Sequence, residues 1–207
     1  MASSLDVMTG GGRMELTLGA GDQEPHYLSY GIHFGTAGER VTDLIDAVAI
    51  MRGLWSNDSF TRQGQRFSVE DATDLPRPVQ RTTPIWIGAL GPRMMRFAVR
   101  EADGWTKNRG GPESMEQLAE LVGILDGVAE KAGRDPGNIR RVLNGVEAMG
   151  NASQTDTRGL TGTAEEILDT IELYRETGID TFHLRFPEEG TEEQIQQFAE
   201  EVIAKVK

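Results

Sequence analysis

The chain has no cysteine, which excludes a disulfide scaffold, a thiol nucleophile and a cysteine-ligated metal. No run approaches the roughly 18 uncharged apolar residues of a membrane-spanning helix. Residues 1–30 also lack the basic start and apolar stretch of a secretory signal. Positive charge is scarce: 21 Lys and Arg face 33 Asp and Glu, a formal net charge of −12. Such a surface repels phosphate backbones and anionic membranes, so neither nucleic acid nor membrane is expected as a partner. The expected location is the cytoplasm. Histidine is also rare, and His26 and His33 lie in one stretch without metal-ligand spacing. No metal site is expected, and no Ser-His-Asp order or nucleophile elbow is present.

What is there fits one globular domain. The chain has 207 residues, 38% hydrophobic and 26% charged, which excludes a disordered chain or a coiled coil. Glycine makes up 25 of the 207 residues, about 12% against a usual ~7%. The glycines fall at the ends of apolar runs, where turns are needed.

Read along the chain, short apolar runs alternate with amphipathic stretches. Met1–Met8 reads as a last helical turn stopped by Gly10-Gly11-Gly12. Met14–Leu18 reads as a strand closed by Gly19-Ala20-Gly21, and a loop runs from there to Gly35. Thr36-Ala37-Gly38-Glu39 is a capping box, opening a helix with Val41, Leu44, Ile45, Val48 and Met51 at helical spacing. Residues 59–70 predict a hairpin turning at Gly64. The prolines of Asp74–Val79 keep that segment extended. Ile85–Ile87 is a strand ending at Gly88, and Pro92 opens a helix to about Ala102. Gly104–Lys107 is a strand, and a helix follows over about Pro112–Ala132. A strand at 141–149, a polar mobile loop at 150–161 and a second capping box at Thr163–Glu166 come next. Its helix ends at Gly178, Thr181–Phe186 is a strand, and the final helix from Thr191 is expected to bury Ile195, Phe198, Val202 and Ile203.

Five strands, each followed by a helix, argue an α/β fold with a parallel sheet. A doubly wound sheet and a (β/α)8 TIM barrel both satisfy that pattern. A complete barrel needs about 250 residues, and only about five of its eight units are legible here.

Three stretches carry chemistry. Leu18-Gly19-Ala20-Gly21-Asp22 places Gly-x-Gly after a strand, as a pyrophosphate cradle would. The third glycine and the helix start of a dinucleotide site do not follow, so a tight turn is the competing reading. In Gly88-Ala89-Leu90-Gly91-Pro92-Arg93 a strand passes into a helix start. Its exposed amides and dipole suit an anion, with Arg93 adding charge or lying in solvent. In the last strand Thr181, His183 and Arg185 alternate with Phe182, Leu184 and Phe186. The polar set should face a barrel lumen, with Arg185 nearest the end where barrel sites lie. His183 reads as an interior histidine.

Several stretches in one register resemble the bacterial luciferase-like monooxygenase superfamily, in its deazaflavin-dependent oxidoreductase branch. They are Leu5–Gly21, Glu24-Pro25-His26-Tyr27, Tyr30-Gly31-Ile32, Gly38-Glu39-Arg40-Val41 and Met51-Arg52-Gly53-Leu54-Trp55. The most specific are Arg77-Pro78-Val79-Gln80, Pro84–Gly88, Gly91-Pro92-Arg93 and Ala102-Asp103-Gly104-Trp105. Gly162–Glu166 and Gly178-Ile179-Asp180 extend the match nearly to the end.

The resemblance implies a luciferase-like (β/α)8 barrel, here incomplete and corresponding to strands 4–8. It implies coenzyme F-420 or FMN at the strand ends and a small organic substrate. Gly88, Ala89, Leu90, Gly91 and Arg93 match the turn that holds the cofactor phosphate. Ala20 and Gly21 match a strand end beside the cofactor, and Arg185 is the candidate substrate contact. Asp22 falls where some deazaflavin-dependent dehydrogenases carry a proton donor; a solvated loop aspartate is the alternative. Residues 22–35 and 59–70 match insertions at the active-site mouth. Family members carry three further strand–helix units before the stretch at Leu5. Residues 1–207 are thus expected to be one N-terminally truncated barrel domain. Its open sheet edges would be covered in a homo-oligomer or by a complementing chain, or the chain would be a non-catalytic remnant.

Overall fold

In the computed structural model the alternation becomes a regular order of strands and helices, described for residues 1–80, 83–108, 114–149 and 159–206. The chain divides into two units, Met1–Gly104 and Trp105–Lys207. The first holds α1 (Ala2–Met8), β1 (Leu16–Leu18), α2 (Glu24–Ser29), α3 (Ala37–Ser56), β2 (Phe60–Arg62), β3 (Val69–Ala72), β4 (Ile85–Gly88) and α4 (Pro92–Glu101). The boundary falls in β5 (Gly104–Asn108). The second holds α5 (Met115–Lys131), β6 (Arg140–Glu147), α6 (Ala164–Glu176), β7 (Thr181–Arg185) and α7 (Thr191–Glu201). The main sheet has the strand order β1-β4-β5-β6-β7, and β2 pairs with β3 in a separate two-stranded sheet.

In the first unit β1 runs parallel to β4 with Leu16, Thr17 and Leu18 opposite Ile85, Trp86 and Ile87. Three successive apolar residues make β4 a strand covered on both faces, and Ile85, Trp86 and Ile87 are all buried. Helix α4 packs on it through Met94, Met95, Phe97, Ala98 and Val99. Asp103 fixes the start of β4. Its carboxylate accepts the Ile85 N–H at 2.8 Å and pairs with Arg52 Nη2 at 2.8 Å. That contact ties two separate family-like stretches, Met51–Trp55 and Ala102–Trp105, to one strand end.

In the second unit β6 and β7 are parallel, with a register shift between Asn144 and Val146. Helix α5 meets α6 and buries Leu118, Val122, Leu125 and Ala129. The alternation of the last strand holds: Phe182 meets Tyr174 of α6 edge-on at 5.4 Å, and Phe186 meets Phe198 of α7 at 5.7 Å.

Both capping boxes form. Thr36 Oγ1 accepts the Glu39 N–H at 3.3 Å while Glu39 accepts the Thr36 N–H at 2.8 Å, and Thr163 with Glu166 repeats the pair at the same distances. Glu39 and Glu166 are held below the usual carboxylate pKa, first by the threonine N–H and then by its hydroxyl.

Four expectations change. Residues Ala2–Met8 form a seven-residue helix rather than a last turn, with Asp6 fully buried and accepting the Gln80 N–H at 2.9 Å. The predicted loop to Gly35 contains α2, whose first turn is Glu24-Pro25, itself a helix-start pattern. Helix α5 starts at Met115 behind the Ser114 cap; residues 112 and 113, and the loop at 150–158, lie outside the described residues. Phe198 of α7 and Val202, its C-cap, are buried, but Ile195 is 48% exposed, and Ile203 lies past the helix in a 3-10 turn, 59% exposed. Helical spacing shows which residues share a stripe, not how much of it a neighbour covers.

Candidate active site at the carboxyl ends of two parallel strands

Because Leu18 lies opposite Ile87 in a parallel register, the turns after β1 and β4 leave the sheet side by side. They bring together Ala20 and Gly21 on one strand end with Gly88, Ala89, Leu90 and Gly91 on the next. Ligands of α/β sheets and barrels bind at such carboxyl ends.

The β4 turn opens directly into α4. Gly91 is its N-cap and Pro92 its first residue, and no side chain caps this helix start. Helices α3, α5 and α6 are capped by Thr36, Ser114 and Thr163, whereas α1, α2 and α7 share with α4 a start without a side-chain cap. A Cβ built on Gly91 would meet nothing within 4 Å, so the space beside the turn is open. Ala89 is buried and Leu90 is 61% exposed.

The β1 turn is held from below by Arg40, to which sequence reasoning gave no role. Its Nε donates to the carbonyls of Ala20 at 3.2 Å and Gly21 at 3.3 Å. Its Nη1 donates to the Gly35 carbonyl, and its guanidinium lies 3.8 Å over the Phe34 ring. Phe34 in turn meets Tyr27 edge-on at 5.0 Å. One arginine in the first turn of α3 therefore organises both ends of the stretch 20–35. The available signal was its position just after the capping box, with aromatics upstream.

Gly21 has φ +80°, and a Cβ there would run into the Tyr27 hydroxyl. Gly21→Ala is thus expected to cost about 1–3 kcal/mol and to displace Tyr27. Thermal melting with Tyr27 ring signals by NMR checks it; unchanged melting and unchanged ring shifts would refute the fit.

Asp22 follows Gly21 and is exposed. Arg93 is not simply solvated: Nη1 donates to the Gly38 carbonyl at 2.9 Å and Nη2 to Thr42 Oγ1 at 2.8 Å. Arg185 belongs to the second unit, exposed at the end of β7 and opposite Glu147 of β6. His26 and His33 are exposed, and among the described residues no group of three or more His, Cys, Asp and Glu could hold a metal ion. No helix among them is long and apolar enough to cross a membrane.

The predicted hairpin is present, with Phe60 opposite Ala72 and Arg62 opposite Val69. It is pinned to α3 by Asp46, which is 3% exposed. Asp46 Oδ2 accepts the N–H groups of Arg66 at 2.7 Å and Phe67 at 3.2 Å, and Oδ1 lies 3.8 Å from Arg62 Nη2. A Cβ on Gly64 would strike the Asp46 carboxylate, so only glycine lets the hairpin tip approach this closely.

Parallel strand–helix units with glycine turns at the strand ends define an α/β protein with a ligand site at the carboxyl ends of its strands. The chain belongs to the luciferase-like monooxygenase family, whose family model matches residues 1–155. An F-420-dependent glucose-6-phosphate dehydrogenase of Microbacterium testaceum is 37% identical over 133 residues, covering 64% of this chain and 38% of that protein. An uncharacterized protein of Mycobacterium tuberculosis is 30% identical over 207 residues, 99% of this chain and 66% of that one. The matched stretch thus covers well under half the length of that dehydrogenase. Among solved structures, an F-420-dependent secondary alcohol dehydrogenase in complex with an F-420–acetone adduct has a TM-score of 0.77 at 18% identity. The match covers 100% of this chain and 73% of that one. A coenzyme F-420-dependent tetrahydromethanopterin reductase of Methanopyrus kandleri has a TM-score of 0.79 at 16% identity, covering 100% and 78%. These likenesses are of fold, and they match the incomplete luciferase-like barrel.

Proposed function

We propose that this protein is an oxidoreductase working with the deazaflavin coenzyme F-420, by hydride transfer to or from a small organic substrate. The observation that carries the reading is the pairing of two glycine turns at neighbouring strand ends, one opening into a helix start that no side chain caps. The names of the dehydrogenase relatives support F-420 over FMN.

The residues fit a phosphate-bearing cofactor. The open side of Gly91 admits a group that a side chain would exclude. The first-turn amides of α4, at the positive end of its dipole, would hold the cofactor phosphate. Gly88, Ala89 and Leu90 would shape that turn, and Ala20 and Gly21 would border the cofactor from β1. When bound, the coenzyme supplies the redox chemistry, and the protein supplies orientation and electrostatics. Asp22 would hold the proton exchanged with the substrate; Arg185 keeps only the substrate-contact role that the family resemblance suggests.

Titration with F-420 and with FMN, followed by quenching of Trp86 and Trp105, tests the reading. Saturable quenching by F-420 is expected; no saturable change with either compound would overturn it. Asp22→Asn should lower kcat about 10²-fold or more while leaving the affinity for F-420 unchanged. An unaltered kcat would remove Asp22 from the chemistry.

A further inference from the structure

A cavity of about 290 Å³ opens beside the hairpin, lined by Thr42, Ile45 and Asp46 of α3, Arg62–Gln65 of the hairpin and Arg93 of α4. Its wall holds two guanidinium groups and the side-chain amides of Gln63 and Gln65 as donors; the Thr42 hydroxyl already donates to the Gly38 carbonyl. Asp46 is the one carboxylate among the lining residues. It is already engaged by two backbone N–H groups and Arg62. The neighbouring carboxylates Asp43 and Glu39 face Arg66, at 2.7 Å and 3.5 Å.

Two features set this cavity apart from an ordinary surface cleft. Arg62 is under-satisfied: its Nε is enclosed without a hydrogen-bond partner, and the nearest Asp46 oxygen stands 3.8 Å from Nη2, beyond hydrogen-bond distance, a costly state for a charged group. Arg93 is held in place by Gly38 and Thr42, and a guanidinium so anchored still has N–H groups to offer.

We infer that this cavity binds an oxyanion group, a carboxylate or phosphate, on a small molecule. Two guanidinium groups with flanking amides match the planar, multi-acceptor geometry of such a group. They also make the cavity a local exception on a chain of net charge −12. Two sources carry this chemistry. One is a free anionic metabolite. The other is the acidic tail of the deazaflavin coenzyme, whose glutamyl carboxylates lie beyond its phosphate. Arg93 belongs both to the first turn of α4 and to the cavity wall, which favours the tail; that source rests on the function proposed above, whereas the oxyanion site does not.

The test is calorimetric titration of the protein with inorganic phosphate and with triglutamate, repeated for Arg62→Gln and Gln63→Glu. Gln63→Glu adds a negative charge without touching the Arg62–Asp46 contact, so it reads the cavity even if Arg62→Gln loosens the hairpin. Both variants are expected to weaken binding about tenfold or more, with the melting temperature of Gln63→Glu unchanged. Equal affinity in all three proteins, or no binding of either probe to the wild type, overturns the site. Whole coenzyme and its tail-free deazaflavin core then separate the sources. Weakening by Arg62→Gln of the whole coenzyme but not of the core, alongside the two anion probes, assigns the cavity to the tail; weakening of phosphate and triglutamate with both coenzyme forms unaffected assigns it to a free anion. If neither coenzyme nor core binds while the anion probes do, the hydride-transfer reading fails and the oxyanion site stands.

Discussion

Asp46→Ala is expected to release the β2–β3 hairpin from α3 and to cost on the order of 3 kcal/mol, a fall of about 6–12 °C in melting temperature. The substitution strands the Arg66 and Phe67 N–H groups that Asp46 accepts and leaves Arg62 without its carboxylate. A buried partner removed in this way costs the desolvation of every group left behind, which exceeds the worth of a typical single bond. Asp46→Asn keeps an acceptor of the same shape and should cost less.

The pair also gives a pH signature. Asp46 is held below the usual aspartate pKa, chiefly by the Arg66 N–H and then by the Phe67 N–H and Arg62, against the opposing effect of burial. Its folded pKa therefore lies below its unfolded one. The stability it contributes is fully present above the unfolded aspartate pKa of about 3.9 and is lost as pH falls through the lower folded value. The gap in melting temperature between wild type and Asp46→Asn should be constant from neutrality to about pH 5 and shrink below about pH 4. A gap that widens on acidification would contradict the assignment.

Arg40→Met is the second large effect. It removes the bonds to Ala20, Gly21 and Gly35 and the stack on Phe34 together. Hydrogen bonds from a charged donor contribute about 1.5–3 kcal/mol each, and the stack about 0.5–2 kcal/mol. The effect should concentrate in residues 20–35, because α3 keeps its own capping box. Limited proteolysis is expected to cut that segment in the variant and spare it in the wild type. Affinity for F-420 should fall about tenfold or more, since the β1 turn loses its support. Arg40→Lys should recover little, because an ammonium cannot bond several carbonyls and stack on a ring at once. Wild-type protease resistance and affinity in Arg40→Met would show that the turn holds its shape unaided.

Much of the fold was legible because the information was local. Thr36-Ala-Gly-Glu and Thr163-Ala-Glu-Glu announce helix starts whose partners sit three residues away, and both boxes form. Pro92 after Gly91 marks the start of α4, and Ile85-Trp86-Ile87 reads as a covered strand from its unbroken apolar run. The short helix Glu24–Ser29 was missed because it is only six residues long, too brief for periodicity to register. Ile195 is exposed because an apolar stripe on a helix does not reveal the width of its neighbour, and Ile203 because the α-helix ends at Glu201, before reaching it. The candidate site was legible as two separate glycine turns, each ambiguous in isolation.

The sequence by itself determined the alternation of strands and helices, the two capped helix starts and the donor-rich turn before α4. These depend on residues within a few positions of each other. Only the tertiary structure decided that Leu18 lies opposite Ile87, so that the two glycine turns become one site. It alone set Arg40 under the first of them and sank Asp46 against the hairpin tip. Each of these is a contact between residues roughly 20 or more positions apart, fixed by backbone register and packing. No local pattern of residue types encodes them.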